Sequence, residues 1–149
     1  MAIRKIFQEG DEILLKRCRE VTVFDEKLGQ LIDDMFETML QADGVGLAGP
    51  QVGYLRRIAV VQVEDDKLEM VNPQIIYAEG EQIDEEGCLS VDSSKNCEVL
   101  RPYVVTVRAF DRHGKQFERT VEGLMARAVC HELDHLEGIL FYTRKYEGK

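Results

Sequence analysis

Two histidines four residues apart, with a glutamate beside the first, form the densest piece of chemistry in the chain: His131-Glu132-Leu133-Asp134-His135. On a helix, positions i and i+4 share a face, so both imidazoles can grip one metal ion. Glu132 then projects beside them, where it can act as general base on an attacking water. The chain has 3 histidines in all, and two of them at this spacing beside a carboxylate argue against scattered surface or core residues. His113, in a polar turn, is expected to face solvent. Two ligands do not complete a site. The short stretch after His135 offers Glu137, too near on the same helix, and Glu147, in a charged tail, so the third ligand must lie upstream. Of Cys18, Cys88, Cys97 and Cys130, it is Cys88 that stands in a distinctive setting, Glu85-Glu86-Gly87-Cys88-Leu89-Ser90. The adjoining glycine permits close backbone approach. A Cys88 thiolate would complete a Cys-His-His set with a fourth position open for water, which suits Zn²⁺ or Fe²⁺. Cys18 and Cys130 read as core thiols. Cys97 carries no signal.

Elements must bring these groups together. Residues 11–20 suggest a short helix. Residues 25–42 make a stronger one, with Leu28, Leu31, Ile32, Met35, Phe36, Met39 and Leu40 on one apolar stripe, Asp25 as N-cap and Asp43-Gly44 as stop. Residues 57–63, 68–71 and 74–78 read as strands, separated by a charged turn at 64–67 and by Asn72-Pro73. Residues 103–110 and 116–121 form two more, joined by a hairpin turn at 111–114. Residues 123–137 are helical with Gly138 as C-cap, and residues 139–142 are apolar enough for a last strand. This order predicts a single α+β domain over residues 1–149, with antiparallel strands packed around a central helix that carries the histidine motif.

The 149 residues suffice for one core without a disulfide or metal. With 28 acidic against 19 basic residues, the net charge of −9 opposes binding nucleic acid through bulk electrostatics and favours a small-molecule or peptide partner. No apolar run of about 7–15 residues marks a secretory signal, and none approaches the roughly 18 needed to span a membrane. The expected location is the cytoplasm, with the thiols reduced.

Three segments in order resemble the peptide deformylases. Gly44-Val45-Gly46-Leu47-Ala48-Gly49-Pro50-Gln51, Glu86-Gly87-Cys88-Leu89-Ser90 and His131-Glu132-Leu133-Asp134-His135-Leu136 match that family's GxGxAxxQ, EGCLS and HExxH patterns. Glu137-Gly138, Leu140-Phe141, Arg101-Pro102 and residues 111–114 also fall where the family places them, so the likeness covers nearly the whole chain. It implies removal of the formyl group from the N-terminal formyl-methionine of nascent polypeptides, releasing formate. It implies Cys88, His131 and His135 as ligands of Fe²⁺, with Zn²⁺, Ni²⁺ or Co²⁺ able to occupy the same site. Glu132 carries over as the acid/base residue, and Gln51 Nε2 and the Leu89 N–H as donors to the carbonyl oxygen. Val45-Gly46 and Gly87 would grip the peptide main chain, while Val45, Leu124, Ala128 and the His131 ring would line the methionine pocket. The partner implied is the formyl-Met nascent peptide, with transient ribosome association and neither direct nucleic-acid recognition nor a membrane. The likeness is to the short form, without the longer C-terminal helix of many members.

Gly49, Asp84 and Asp92-Ser93 depart from the family's usual residues and bear on the pocket rim. Arg101 and Asp134 are candidates for orienting the ligands. Taken alone, the histidine motif also fits a zinc peptidase or another amidase, and the ligand set fits a metal-stabilised binding module. Glu132 and Gln51 weigh against the last, since a purely structural site needs neither.

Overall fold

The computed structural model describes residues 2–148. Its first long helix, α1 (Glu26–Gln41), starts where Asp25 accepts a hydrogen bond from the Leu28 N–H at 3.1 Å. Leu28, Leu31, Ile32, Met35, Phe36 and Met39 are buried as the stripe requires, but Leu40 is 49% exposed and lies off it. The second helix, α2 (Leu124–Leu136), carries Leu and Ala at several positions, residues that lose little on entering a helix. Among the described residues seven strands accompany them: β1 (Gly46–Ala48), β2 (Ile58–Val63), β3 (Asp66–Glu79), β4 (Gln82–Glu86), β5 (Cys97–Arg101), β6 (Val104–Phe110) and β7 (Gln116–Glu122). Five form an antiparallel sheet in the order β1-β2-β3-β6-β7, and β4 and β5 pair as a separate ribbon.

Alternation along β2 explains the layering. Ile58 and Val60 point to α1 and join its stripe with Leu47 and Val71. Ala59 and Val61 point the other way, to Ala126, Val129 and Met125 of α2, together with Met70, Val105 and Val107. Each fully buried aliphatic side chain contributes about 1.5–3 kcal/mol, so two independent apolar layers fix the sheet between the helices. The ribbon closes the remaining side of α2, where Arg127 Nη1 donates to Val99 O at 3.0 Å. Helix α2 therefore runs between sheet and ribbon, the α+β arrangement expected.

Three local expectations change. In residues 11–20 only Glu12–Leu15 turns, as a 3₁₀ segment capped by Asp11. Beyond it the chain extends, because Cys18 N–H donates to Leu136 O and Arg19 pairs with Arg56. Residues 139–142 form no strand; Phe141–Arg144 is a 3₁₀ turn that carries Phe141 inward. The segments 68–71 and 74–78 are one strand. Asn72 takes φ 51° at a register shift, and its side chain bonds both Val21 N–H (2.8 Å) and Val21 O (2.9 Å). The residue expected to break β3 bulges it instead.

Candidate active site

Helix α2 places His131 and His135 on one face, and the loop from β4 to β5 brings Cys88 onto it. One ligand atom from each of the three residues lies within 4.8 Å of the other two. Cys88 Sγ is 3.3 Å from His135 Nε2. A thiolate with two imidazoles at this spacing is a donor set that can hold one metal ion. Both histidines are buried. Burial and the positive charges of His131 and Arg101 push His135 down to about 3, leaving a neutral ring with its lone pair available. His131 behaves oppositely: burial pulls it down, but Cys88, Glu132 and Glu86 raise it to about 10. The Glu86 carboxylate, 3.0 Å from His131 Nδ1, places negative charge beside the point where a cation would sit. The residues present fit the ion.

Glu132 faces the same space and is buried, with Oε1 lacking a partner. Burial raises its carboxyl to about 7, only partly offset by His131. Room for it comes from β1, since a Cβ on Gly46 would fall 2.9 Å from Glu132 Cδ. One on Gly44 would fall against the Leu89 side chain. These glycines therefore make space for the site's own side chains, beyond any approach of a ligand. At Gly49 the crowding is with backbone instead. A Cβ there would meet the Tyr54 and Arg56 carbonyls at 2.7 Å.

Gln51, 1% exposed, follows β1 in the turn Gly49–Val52. Its Oε1 accepts from Ala48 N–H at 2.9 Å, and its Nε2 donates to Ser90 Oγ at 3.1 Å and lies 3.6 Å from Cys88 Sγ. The carboxamide is thus locked with an N–H toward the ligand cluster. A cavity of about 340 Å³ opens above it, lined by Val45, Gly46, Gln51, Gly87, Cys88, Leu89, Leu124, Ala128, His131 and Glu132. Every sequence-derived site residue reaches this cavity except His135, which closes the cluster beneath it. Ser93 and Asn96 line it as well, while Asp92 caps the short turn Ser93–Lys95 and Asp84 lies exposed on β4 away from it. His113 is exposed and Cys18 and Cys130 are buried, as expected.

The residue most underrated by the sequence is Glu86. Its Oε1 lies 3.0 Å from His131 Nδ1, while Arg101 grips both its oxygens (2.8 and 2.9 Å) and Arg127 donates at 2.6 Å. Burial alone would raise its carboxyl; the bonds from Arg101 and His131 instead lower it to about 2. Arg101 also pairs with Asp134 at 2.8 Å, so both expected orienting residues act through Glu86 and neither touches a ligand atom. Ser90, fully buried, and Phe141, stacked on His131 with centroids 5.7 Å apart, lie in the family-like segments but carried no expected role. Glu86 and Ser90 flank Cys88 in the sequence, which was the available signal. Nothing local pointed to Arg127.

Known proteins resemble this chain in sequence and in fold. A family model described as polypeptide deformylase matches residues 3–148. The chain is 53% identical over 144 residues to a peptide deformylase of Caldicellulosiruptor bescii, covering 97% of this chain and 86% of that one. It is 51% identical over 144 residues to one of Clostridium botulinum, covering 97% of each. The fold is similar to the crystal structure of a peptide deformylase from Legionella pneumophila, with TM-score 0.91 and 46% identity over 97% of this chain and 87% of that one. For the crystal structure from Thermotoga maritima the values are 0.93 and 39%, over 97% and 98%.

Proposed function

The chain belongs to the peptide deformylase family, and we propose that Cys88, His131 and His135 hold the ion at which it hydrolyses the formyl group of formyl-Met nascent peptides, releasing formate. The observation that carries this reading is the convergence of those three ligands beside the buried, unpartnered Glu132 beneath an open cavity. When bound, the ion polarises the formyl carbonyl and makes water a nucleophile near neutral pH. Fe²⁺ is the ion proposed, and Zn²⁺, Ni²⁺ or Co²⁺ suit the same thiolate and imidazoles.

The chain's own groups supply the rest. Glu132, held near neutrality, takes a proton from the attacking water and returns it to the departing amine nitrogen. Gln51 Nε2 and the Leu89 N–H donate to the carbonyl oxygen as negative charge develops there. Water attacks directly, so no acyl-enzyme forms and Cys88 is a ligand, not a nucleophile. The Gln62 N–H donates to Val45 O at 2.9 Å on one side of β1. The alternation of an antiparallel pair turns the Gly46 backbone groups to the other side, the open edge of the sheet. An extended peptide adds there as a further strand, with Gly87 on the opposite wall and its methionine side chain among Val45, Leu124, Ala128 and the His131 ring. Main-chain pairing leaves sequence largely unread, as an enzyme for many nascent chains requires. We place that encounter in the cytoplasm, in transient association with the ribosome, with the peptide and not the RNA as partner of a chain whose net charge is −9.

The test is formate release from a formyl-Met peptide by the anaerobic, Fe²⁺-loaded protein, with the unformylated peptide as control. Formate from the first alone is expected. Its absence, or cleavage at internal peptide bonds, would overturn the reading. Glu132→Ala should keep its metal and lose about 10²- to 10⁴-fold in turnover; full activity would reject Glu132 as the base.

A further inference from the structure

Three consecutive residues near the start of the chain reach the backbone of the oxyanion side of the site. Phe7 N–H donates to Gln51 O at 2.7 Å, Gln8 Nε2 to Leu89 O at 3.0 Å, and Glu9 N–H to Ser90 O at 2.7 Å. The Glu9 carboxylate, in turn, accepts from Lys95 Nζ at 2.8 and 2.9 Å and from the Tyr142 hydroxyl. Lys95 ends the short turn that follows the Cys88 loop. Tyr142 is next to Phe141, whose ring stacks on His131. Segment 7–9 thus pins the ligand loop directly and, through Glu9, ties it to the two turns packed around it.

We propose that Gln8 and Glu9 are positioning residues for the hydrolysis, holding the loop that carries the Leu89 peptide at the angle from which its N–H stabilises the developing oxyanion. The proposal rests on the function assigned above. A loop between two short strands opens easily unless its backbone groups are tied. The Leu89 N–H lies in the Cys88–Leu89 peptide plane, whose Cys88 O accepts from Val91 N–H at 3.1 Å, and its direction also depends on the planes that follow. Donation to Leu89 O and Ser90 O fixes two successive planes, and the bond from Phe7 fixes the backbone of Gln51. Preorganised donors are worth most when they need not move at the moment of reaction, and a small misplacement costs rate more than binding. Neither Gln8 nor Glu9 lines the substrate cavity or joins the ligand cluster, so both act through other residues.

Gln8→Glu keeps the side-chain length but replaces a donating amide with an accepting carboxylate. Glu9→Gln keeps the shape and removes the charge that holds Lys95. Both are compared with the unmodified, Fe²⁺-loaded full chain for kcat, KM, metal content and amide hydrogen exchange across residues 88–91. Gln8→Glu should lower kcat about two- to tenfold, the range for losing one net hydrogen bond, with KM and metal content unchanged and exchange faster. Glu9→Gln should shift the same two readouts in the same direction. Unchanged kcat or unchanged exchange in both variants would overturn the proposal, as would a loss confined to KM or to metal content. No formate from the unmodified protein would refute the hydrolase reading and this role together; formate from it alongside unaltered variants would refute this role alone.

Discussion

Glu86 shows how much of the site's behaviour is set one bond away from the ligands. With its carboxylate on His131 Nδ1, the ring is oriented and its Nε2 is left to face Cys88 and His135. Two buried arginines on one carboxylate keep it ionised, and so keep it an acceptor for the ring proton. Glu86→Gln should therefore weaken metal affinity about 10- to 100-fold, read by competition with a chelator. Affinity equal to that of the unmodified chain would show that His131 needs no such partner. The motif around Cys88 exposed Glu86 to view, but its role depends on Arg101 and Arg127, which approach from β5 and α2. The two candidate histidine ligands were legible because their spacing within one helix is itself the chemistry, whereas Cys88 was legible from its setting in a loop. The groups that orient them were not, because they meet only in three dimensions.

Helix α1 is held to the start of the chain through Asp34. This carboxylate accepts from Ala2 N–H at 2.7 Å, Arg4 Nε at 2.9 Å and Gln30 Nε2 at 2.8 Å. Burial would raise it, yet these bonds hold it below its ordinary 3.8. A carboxyl depressed by folding stabilises the fold above its unfolded pKa, and that contribution fades as pH falls below 3.8 toward the folded value. Asp34→Asn should cost about 1–3 kcal/mol at neutral pH, with the gap to the unmodified chain closing in acid. Urea unfolding as a function of pH measures it, and a pH-independent gap would contradict the assignment. The same scale shows where sequence reading stops. Helix α1, the hairpin of β6 and β7, and α2 carry their periodicity and caps within one stretch of chain. Strands β4 and β5 were missed because they are short and charged, and a loop of ten residues separates them. Residues 139–142 look like a strand by composition, but Phe141 is turned onto the His131 ring.

Across the whole molecule, two apolar layers on either face of the sheet and a ribbon behind α2 leave one face where β1, the Cys88 loop and the helix meet. None of the helices among the described residues is long and apolar enough to cross a membrane. The sheet's open edge at β1 borders the cavity, so an extended chain added there, as proposed, would run to Cys88, His131 and His135. Everything turns on whether a single ion sits among Cys88, His131 and His135. X-ray absorption at the iron edge of the anaerobic, Fe²⁺-loaded protein addresses this directly. One sulfur and two imidazole nitrogens in the innermost coordination sphere, with the sulfur lost in Cys88→Ser, is the predicted result. A sphere of oxygen and nitrogen alone in the unmodified protein, or one that Cys88→Ser leaves intact, would contradict it.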